Sequence, residues 1–197
     1  MKKRFKSFLM LYILTSLLIS ACKKEDDPTP APGANVICDG NGTISYMPLA
    51  LENYWNLTAP GYSITYLVVD TQTFISNKYY EVESNLGGNR YYRMKPNGDI
   101  MLYDSFNNVE VLFIPNLPTA GQTWSYDIEL CDTRKVAAVN VPYTTSKCYY
   151  GRCLKIELYD NGSLVRTEYY RRGVGLVSTD IIWGGIAITK LSDVTLN

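Results

Sequence analysis

The feature that most restricts the fold of this chain is a series of short alternating polar and apolar runs, punctuated by Asn-Gly turns. Period-two patterning with β-branched and aromatic residues predicts strands with one buried face. Asn97-Gly98 and Asn161-Gly162 each separate two such runs, and Asn-Gly favours a hairpin because both positions tolerate positive φ. The flanking runs are residues 90–94, 100–103, 153–158 and 164–170.

Ten to twelve candidate strands of this kind follow one another at short spacing. No stretch after Cys22 offers a three-turn helix with an apolar stripe, although residues 48–54 could form one helical turn. The pattern therefore predicts an all-β fold, an antiparallel meander over residues 36–197 that forms a barrel-like or two-sheet sandwich domain.

The first 21 residues have the layout of a secretory signal peptide, with four basic residues before an apolar run at 8–19. That run is too short to cross a hydrocarbon core of about 30 Å comfortably. Ile19-Ser20-Ala21-Cys22 resembles a bacterial lipobox, which implies cleavage before Cys22 and acylation of its sulfur with fatty acyl chains such as palmitate. An ordinary signal peptide with a chance cysteine is the alternative.

Residues 22–35 contain three prolines and no large apolar side chain, which predicts an extended tether. Glu25-Asp26-Asp27 resembles the surface-export tag of Bacteroidota lipoproteins, although acidic linkers are also common. Lys23 stands where enteric lipoproteins retained in the inner membrane carry aspartate. We therefore expect an outer-membrane lipoprotein whose domain is exposed at the cell surface.

Charge and composition exclude several classes of function. Removal of the leader leaves 176 residues with 15 basic and 19 acidic side chains, a net charge near −4 without a basic cluster, so no nucleic-acid partner is expected. Histidine is absent, which rules out Ser-His-Asp triads, Cys-His pairs and histidine ligands for zinc or haem.

Four cysteines remain after Cys22, and an even number in an exported chain favours disulfides. They are Cys38, Cys131, Cys148 and Cys153. Three pairings are possible and the sequence does not choose among them; buried thiols are the main alternative. A four-cysteine metal site is disfavoured because no tight C-x₂-C pair occurs. We therefore assign no metal and no cofactor.

Four short motifs, in order, resemble those of uncharacterised Bacteroidota envelope lipoproteins with a β-rich domain. They are residues 47–55 (PLxxGNxW-type, with Glu52 in place of the glycine), 119–124 (GxxW-type), 139–142 followed by 153–156 (VxVP…LKI-type), and 169–177 (YYxxGVGLV-type). The resemblance implies a β-rich envelope domain and transfers no activity or site.

Tyrosine is the candidate binding feature, since 17 occur and four adjacent pairs fall in predicted strands. Neighbouring strand residues point to opposite faces, so each pair should place one ring inward and the other outward. Outward rings on adjoining strands could form a platform for sugars or a peptide, although cross-strand packing is the favoured explanation of the tyrosine content. The candidate ligand-binding residues are Tyr80, Tyr92, Tyr170 and Trp183. Trp55 and Trp124 are expected in the core.

Paired carboxylates are the remaining route to catalysis. Glu81 and Glu83, and likewise Asp127 and Glu129, share a strand face, but they alternate with apolar residues as a solvated face does. No catalytic residue is assigned. We expect a non-catalytic binding module for a glycan, a peptide or a hydrophobic ligand, attached to the membrane by its N-terminal lipid. The alternative is a structural or accessory subunit of an envelope complex with no small-molecule ligand.

Overall fold

A computed structural model describes residues 38, 42–128, 131–182 and 187–197. The predicted signal peptide (1–21), the lipid-attachment residue Cys22, the tether (22–35) and Trp183 lie outside the described residues. The corresponding expectations therefore stay predictions.

The described residues form twelve strands in one antiparallel sheet, and no helix occurs among them. The strands are β1 (Tyr54–Ala59), β2 (Tyr62–Phe74), β3 (Asn77–Ser84), β4 (Asn89–Met94), β5 (Ile100–Asp104), β6 (Val109–Ile114), β7 (Thr123–Ile128), β8 (Cys131–Thr144), β9 (Tyr149–Asp160), β10 (Ser163–Arg171), β11 (Gly175–Ile181) and β12 (Ala187–Thr195). Their order is β6-β5-β4-β3-β2-β1-β12-β11-β10-β9-β8-β7. In the described part of the chain no helix has the length and hydropathy to span a bilayer.

This sheet curls until its edge strands β6 and β7 meet, so the all-β, barrel-like prediction is confirmed. Side chains join the two edges: the Trp124 indole on β7 donates to the Leu112 carbonyl on β6 at 2.9 Å. The rings of Phe113 and Tyr126 lie 6.2 Å apart across the same seam. Trp124 is thus a half-buried seam residue, whereas Trp55 is buried in the core as expected.

Both Asn-Gly turns form the predicted hairpins. Asn161 and Gly162 have φ of 47° and 77° between β9 and β10. Gly98 has φ of 88° between β4 and β5, where its N–H donates to the Lys95 carbonyl at 2.8 Å. The predicted helical turn at residues 48–54 does not form; the chain makes a β-turn there, with the Asn53 N–H donating to the Ala50 carbonyl.

One end of the barrel is closed by residues 42–53, which precede β1. The side chain of Asn53 is fully buried: its amide donates to the Pro48 carbonyl at 2.8 Å, and its oxygen accepts from the Asn197 N–H at 2.7 Å. Arg172, in the β10–β11 turn, stacks 4.2 Å over the Tyr46 ring and donates to the Ile44 carbonyl. We call this the closed end.

A disulfide joins Cys38 to Cys148, in the β8–β9 turn, at the closed end. Cys131 and Cys153 are buried thiols, so the expectation of a disulfide is wrong for these two. Cys131 begins β8, whereas Cys153 pairs with Val141, ten residues further along that strand. At about 3.3 Å per residue they are roughly 30 Å apart, far beyond disulfide reach.

Candidate functional site

The lumen of the barrel contains a cavity of about 210 Å³, which we call the inner cavity. Its lining is mainly apolar and aromatic, contributed by β1–β4, β6, β10 and β11. The apolar residues include Trp55, Ile64, Val82, Leu176 and Ile181. The floor is fixed by Trp55, whose indole donates to the Val174 carbonyl at 2.5 Å and leaves no room for a side chain at Gly175.

A second cavity, of about 360 Å³, lies between the β3–β4 and β5–β6 turns at the opposite end from residues 42–53. We call this space the mouth, and that end of the barrel the open end. Polar groups from residues 84, 87–89 and 104–105 line it. The mouth and the inner cavity share Tyr66, Val82, Leu86 and Arg90, so the two spaces adjoin there.

Strand β10 directs a polar row into the lumen, because Arg166, Glu168 and Tyr170 alternate with outward-facing residues. The Tyr170 hydroxyl donates to Glu168 Oε2 at 2.8 Å. Arg166 Nε lies 3.1 Å from Glu168 Oε1. All three side chains line the inner cavity.

The same carboxylate is bound by Arg134 on β8, which is separated from β10 in the sheet only by β9. Arg134 is fully buried, and its Nη2 donates to Glu168 Oε2. The guanidinium lies 4.2 Å from the centre of the Phe113 ring and 4.8 Å from that of Tyr126. Its Nε and Nη1 have no hydrogen-bond partner among the described residues. The Glu168 carboxylate is therefore the main group that compensates the buried charge of Arg134.

These contacts fix the protonation state of the cluster. Burial would raise the pKa of the Glu168 carboxyl, but the charges of Arg134 and Arg166 and the Tyr170 hydroxyl hold that pKa below its usual range. Burial and the neighbouring Glu168 charge raise the pKa of Tyr170 well above 10. An ionised carboxylate and a neutral phenol form a fixed polar anchor, and neither is poised to exchange protons near neutral pH.

The predicted outward platform of tyrosines is wrong for two of its named members. Tyr92 and Tyr170 are only 2% and 3% exposed, because the face that carries them is the lumen side of the sheet. Both line the inner cavity, so a role in binding there stays a prediction. Tyr80 is half-buried, lies opposite Tyr92 in the β3–β4 register and packs against the core without lining either cavity.

The outward partners of these tyrosines do not form a free platform either. Tyr79 is completely buried, and its hydroxyl donates to Glu110 at 2.6 Å. Phe74, Tyr79, Tyr91 and Tyr103 stack on one another with ring centres 4.3–5.8 Å apart. Because aromatic neighbours cover these faces, a flat sugar-binding surface is absent from this region.

The carboxylates considered at the sequence level do not converge in the lumen. Glu81 is buried on the outer face, where it accepts hydrogen bonds from Gln72 and Asn89. Glu83 and Asp127 are exposed, and Glu129 lies outside the described residues. Among the residues that the structure describes, no group of three His, Cys, Asp or Glu side chains is placed to hold a metal ion.

The sequence reasoning missed four charged residues of the lumen: Arg90, Arg134, Arg166 and Glu168. A signal was present, because Glu168 stands two residues from Tyr170, and Arg134 two residues from Val136, so each shares a face with an apolar or aromatic neighbour. Charged residues in a strand are ordinarily assigned to the solvent side, and this assignment was wrong here.

No family model matches this chain, and no curated protein matches it. Among solved structures, it is similar to a protein of Bacteroides fragilis described as an exported protein with a YmcC-like fold. The TM-score is 0.39 at 12% sequence identity, over 76% of this chain and 98% of the other. A likeness this low carries no argument about fold or function.

Proposed function

We propose that this chain is a surface-exposed outer-membrane lipoprotein whose domain is a non-catalytic binding module, with a small hydrophobic ligand held in the lumen. The observation that supports this proposal is the inner cavity, an apolar and aromatic space that adjoins the mouth. Ligand sites are typically concave and mostly apolar with a few placed polar groups, which is the character of this lining.

The size of the inner cavity limits the ligand. An apolar cavity of about 150 Å³ accepts benzene, and one water corresponds to about 30 Å³ of liquid volume. At about 210 Å³ the inner cavity therefore suits a ring or a chain of roughly seven heavy atoms. Larger ligands would extend into the mouth.

The test of the ligand class uses residues 22–197 with Cys22→Ser, which include every described residue and need no detergent. Octan-1-ol and toluene should raise its melting temperature and bind by calorimetry. Leu176→Trp, which fills the inner cavity, should weaken binding at least tenfold. Leu117→Trp is the matched control, because Leu117 is exposed near the closed end. Absence of binding by every apolar compound tested would refute the proposal.

The proposed location rests on residues 19–22 and the acidic cluster at 25–27. Radioactive palmitate should label the protein in cells and fail to label Cys22→Ala. Protease added to intact cells should digest the domain. If digestion requires permeabilised cells, the surface assignment is wrong, although the lipid anchor could still be correct.

A second candidate function, accessory subunit of an envelope complex, is favoured by one observation. Phe106 and Leu86, on the two turns that flank the mouth, are 94% and 67% exposed. Exposed apolar side chains at one end suit a protein partner. Crosslinking from position 106 in intact cells would identify such a partner. Crosslinks that disappear when a ligand of the inner cavity is added would show that ligand binding and partner binding are coupled.

A further inference from the structure

We infer that the β6 edge, at the seam between β6 and β7, is a strand-addition site for a protein partner that contributes one extended segment of alternating apolar and polar residues. This inference goes beyond the lumen ligand and does not depend on it. β6 and β7 are the two ends of the strand order, and within the described residues no backbone ladder joins them. The N–H and C=O groups of an unpaired strand edge are the groups with which an extended chain pairs.

The segment that connects β6 to β7 is anchored to different neighbours at its two ends. The Asn116 N–H donates to Asp99 at 2.8 Å, and its side-chain amide donates to the Asn97 carbonyl at 2.7 Å, which fixes this end on the β4–β5 turn. At the other end, the Gly121 N–H donates to the Val136 carbonyl on β8 at 2.8 Å. Separate neighbours therefore position the two edges, and no tight hairpin turn sets their backbones in register.

β6 presents a regular edge towards the seam. Residues 109–112 pair in register with β5, and the register shifts once, at Phe113. The Leu112 carbonyl points into the seam, where it accepts from the Trp124 indole. Because alternate residues of a strand direct both backbone groups to the same side, the N–H of Leu112 and the N–H and C=O of Glu110 point the same way. The β6 sequence, Val-Glu-Val-Leu-Phe-Ile, has no lysine or proline, residues that commonly protect an edge.

β7 is the better protected of the two edges. Its register with β8 shifts between Ser125 and Ile128, and Asp127, within this irregular stretch, has a φ of 41°. Bulges of this kind twist an edge strand away from pairing. The asymmetry assigns the added segment to β6, and antiparallel pairing is the more stable arrangement and the one used throughout this sheet.

The lumen behind the seam is closed by two buried rings. Phe113 and Tyr126 lie with ring centres 6.2 Å apart, and the Arg134 guanidinium packs over both. An added segment therefore needs apolar side chains on its inner face, and polar ones outside, beside the exposed Thr123 and Ser125. A second copy of this domain fits less well, because β7 stands beside β6 in each copy and keeps two whole domains apart.

The test measures the fluorescence anisotropy of a labelled peptide of alternating threonine and valine, about seven residues long, on residues 22–197 with Cys22→Ser. Two further versions carry N-methyl groups on alternate backbone nitrogens, at even or at odd positions. A segment paired through one edge keeps its affinity when the methyl groups face away from β6. It should lose at least tenfold when they face β6.

Two variants test the β6 edge from the protein side. Leu112→Pro removes an N–H that faces the seam and none that pairs with β5, so peptide affinity should fall at least tenfold. Trp124→Phe frees the Leu112 carbonyl for the peptide, so affinity should rise about fivefold. Tyr54→Phe is the matched control and should change affinity less than twofold, because it removes a hydroxyl hydrogen bond on β1, far from the seam in the strand order.

Three results would overturn the inference. They are absence of peptide binding, equal affinity of the two methylated peptides, and unchanged affinity of Leu112→Pro in a variant that circular dichroism shows to be folded. If the protein instead forms a dimer in sedimentation experiments and Leu112→Pro abolishes that dimer, the occupant is a second copy and the assignment to a partner is wrong. The octan-1-ol test of the inner cavity is independent of each of these results.

Discussion

Removing either partner of the buried Arg134–Glu168 pair should be among the most damaging changes that this domain can suffer. Glu168→Gln leaves a fully buried guanidinium without a carboxylate, and an uncompensated buried charge costs about 3–5 kcal/mol. We expect the upper part of that range, because Nε and Nη1 of Arg134 have no other partner in the described structure. Arg134→Met should cost about 3 kcal/mol, since Arg166 and Tyr170 still contact the carboxylate.

The double variant distinguishes a coupled pair from two independent sites. Arg134→Met with Glu168→Gln removes both charges. The decrease in its free energy of unfolding should therefore be smaller, by at least about 3 kcal/mol, than the sum of the decreases in the two single variants. Urea unfolding followed by tryptophan fluorescence and circular dichroism measures each free energy of unfolding. The control cycle uses Arg93 and Glu110, a partly exposed pair, for which coupling of about 1 kcal/mol or less is expected. Additive losses at Arg134 and Glu168 would refute the reasoning.

The same pair predicts the response to acid. Because the pKa of Glu168 is lower in the folded state than in the unfolded chain, its contribution to stability is complete above about pH 4.5. That contribution declines as pH falls through the folded-state pKa. Melting temperatures should therefore fall below about pH 4.5 more steeply in the parent protein than in the Arg134→Met, Glu168→Gln double variant. Parallel profiles would contradict the assignment.

Three further changes test other parts of the structure. Glu52 has a φ of 68°, so Glu52→Gly should relieve left-handed strain and stabilise the domain by about 0.5–1 kcal/mol in urea unfolding, whereas Glu52→Ala should not. Cys148→Ser should cost about 3–5 kcal/mol in the same assay, because the bond to Cys38 closes a loop of 110 residues; an unchanged midpoint would contradict this. Cys131 and Cys153 should react with Ellman's reagent only after unfolding, since both are buried and burial raises the pKa of Cys153 to about 12; rapid reaction of the native protein would show that they are accessible.

The pairing of most consecutive strands was predictable from sequence because its determinants are local, whereas the pairing of β1 with β12 joins the two ends of the chain and is not local. Asn161-Gly162 sets a two-residue turn between β9 and β10, and successive short turns of this kind force neighbouring strands to pair. Local turns do not say how far the sheet curls. Closure depends on Trp124 reaching the Leu112 carbonyl, a contact between the two ends of the strand order, which alternation within one strand cannot reveal.

The candidate site was less predictable. The alternation of side chains along a strand separates its two faces, but it does not show which face lines the lumen. On β10 the face with Val165 and Tyr169 is the more apolar in sequence, yet the face with Arg166, Glu168 and Tyr170 lines the lumen. The Glu168 charge is tolerated there because Arg166 on the same strand and Arg134, more than thirty residues away in sequence, both lie against its carboxylate. The adjacent tyrosine pairs therefore pointed to two residues that line the inner cavity, Tyr92 and Tyr170, but the sequence placed their rings on the outer surface of the sheet.

The closure of the barrel by residues 42–53 has a consequence for traffic into the lumen. If the proposed lipid anchor at Cys22 is correct, the chain enters the domain at the closed end, where Cys38 is bonded to Cys148, and the mouth lies at the end remote from that attachment point. Molecules would then arrive from the surrounding medium, and direct uptake from the leaflet beneath would be geometrically disfavoured. Such an arrangement suits capture of dispersed solutes over extraction of membrane lipids.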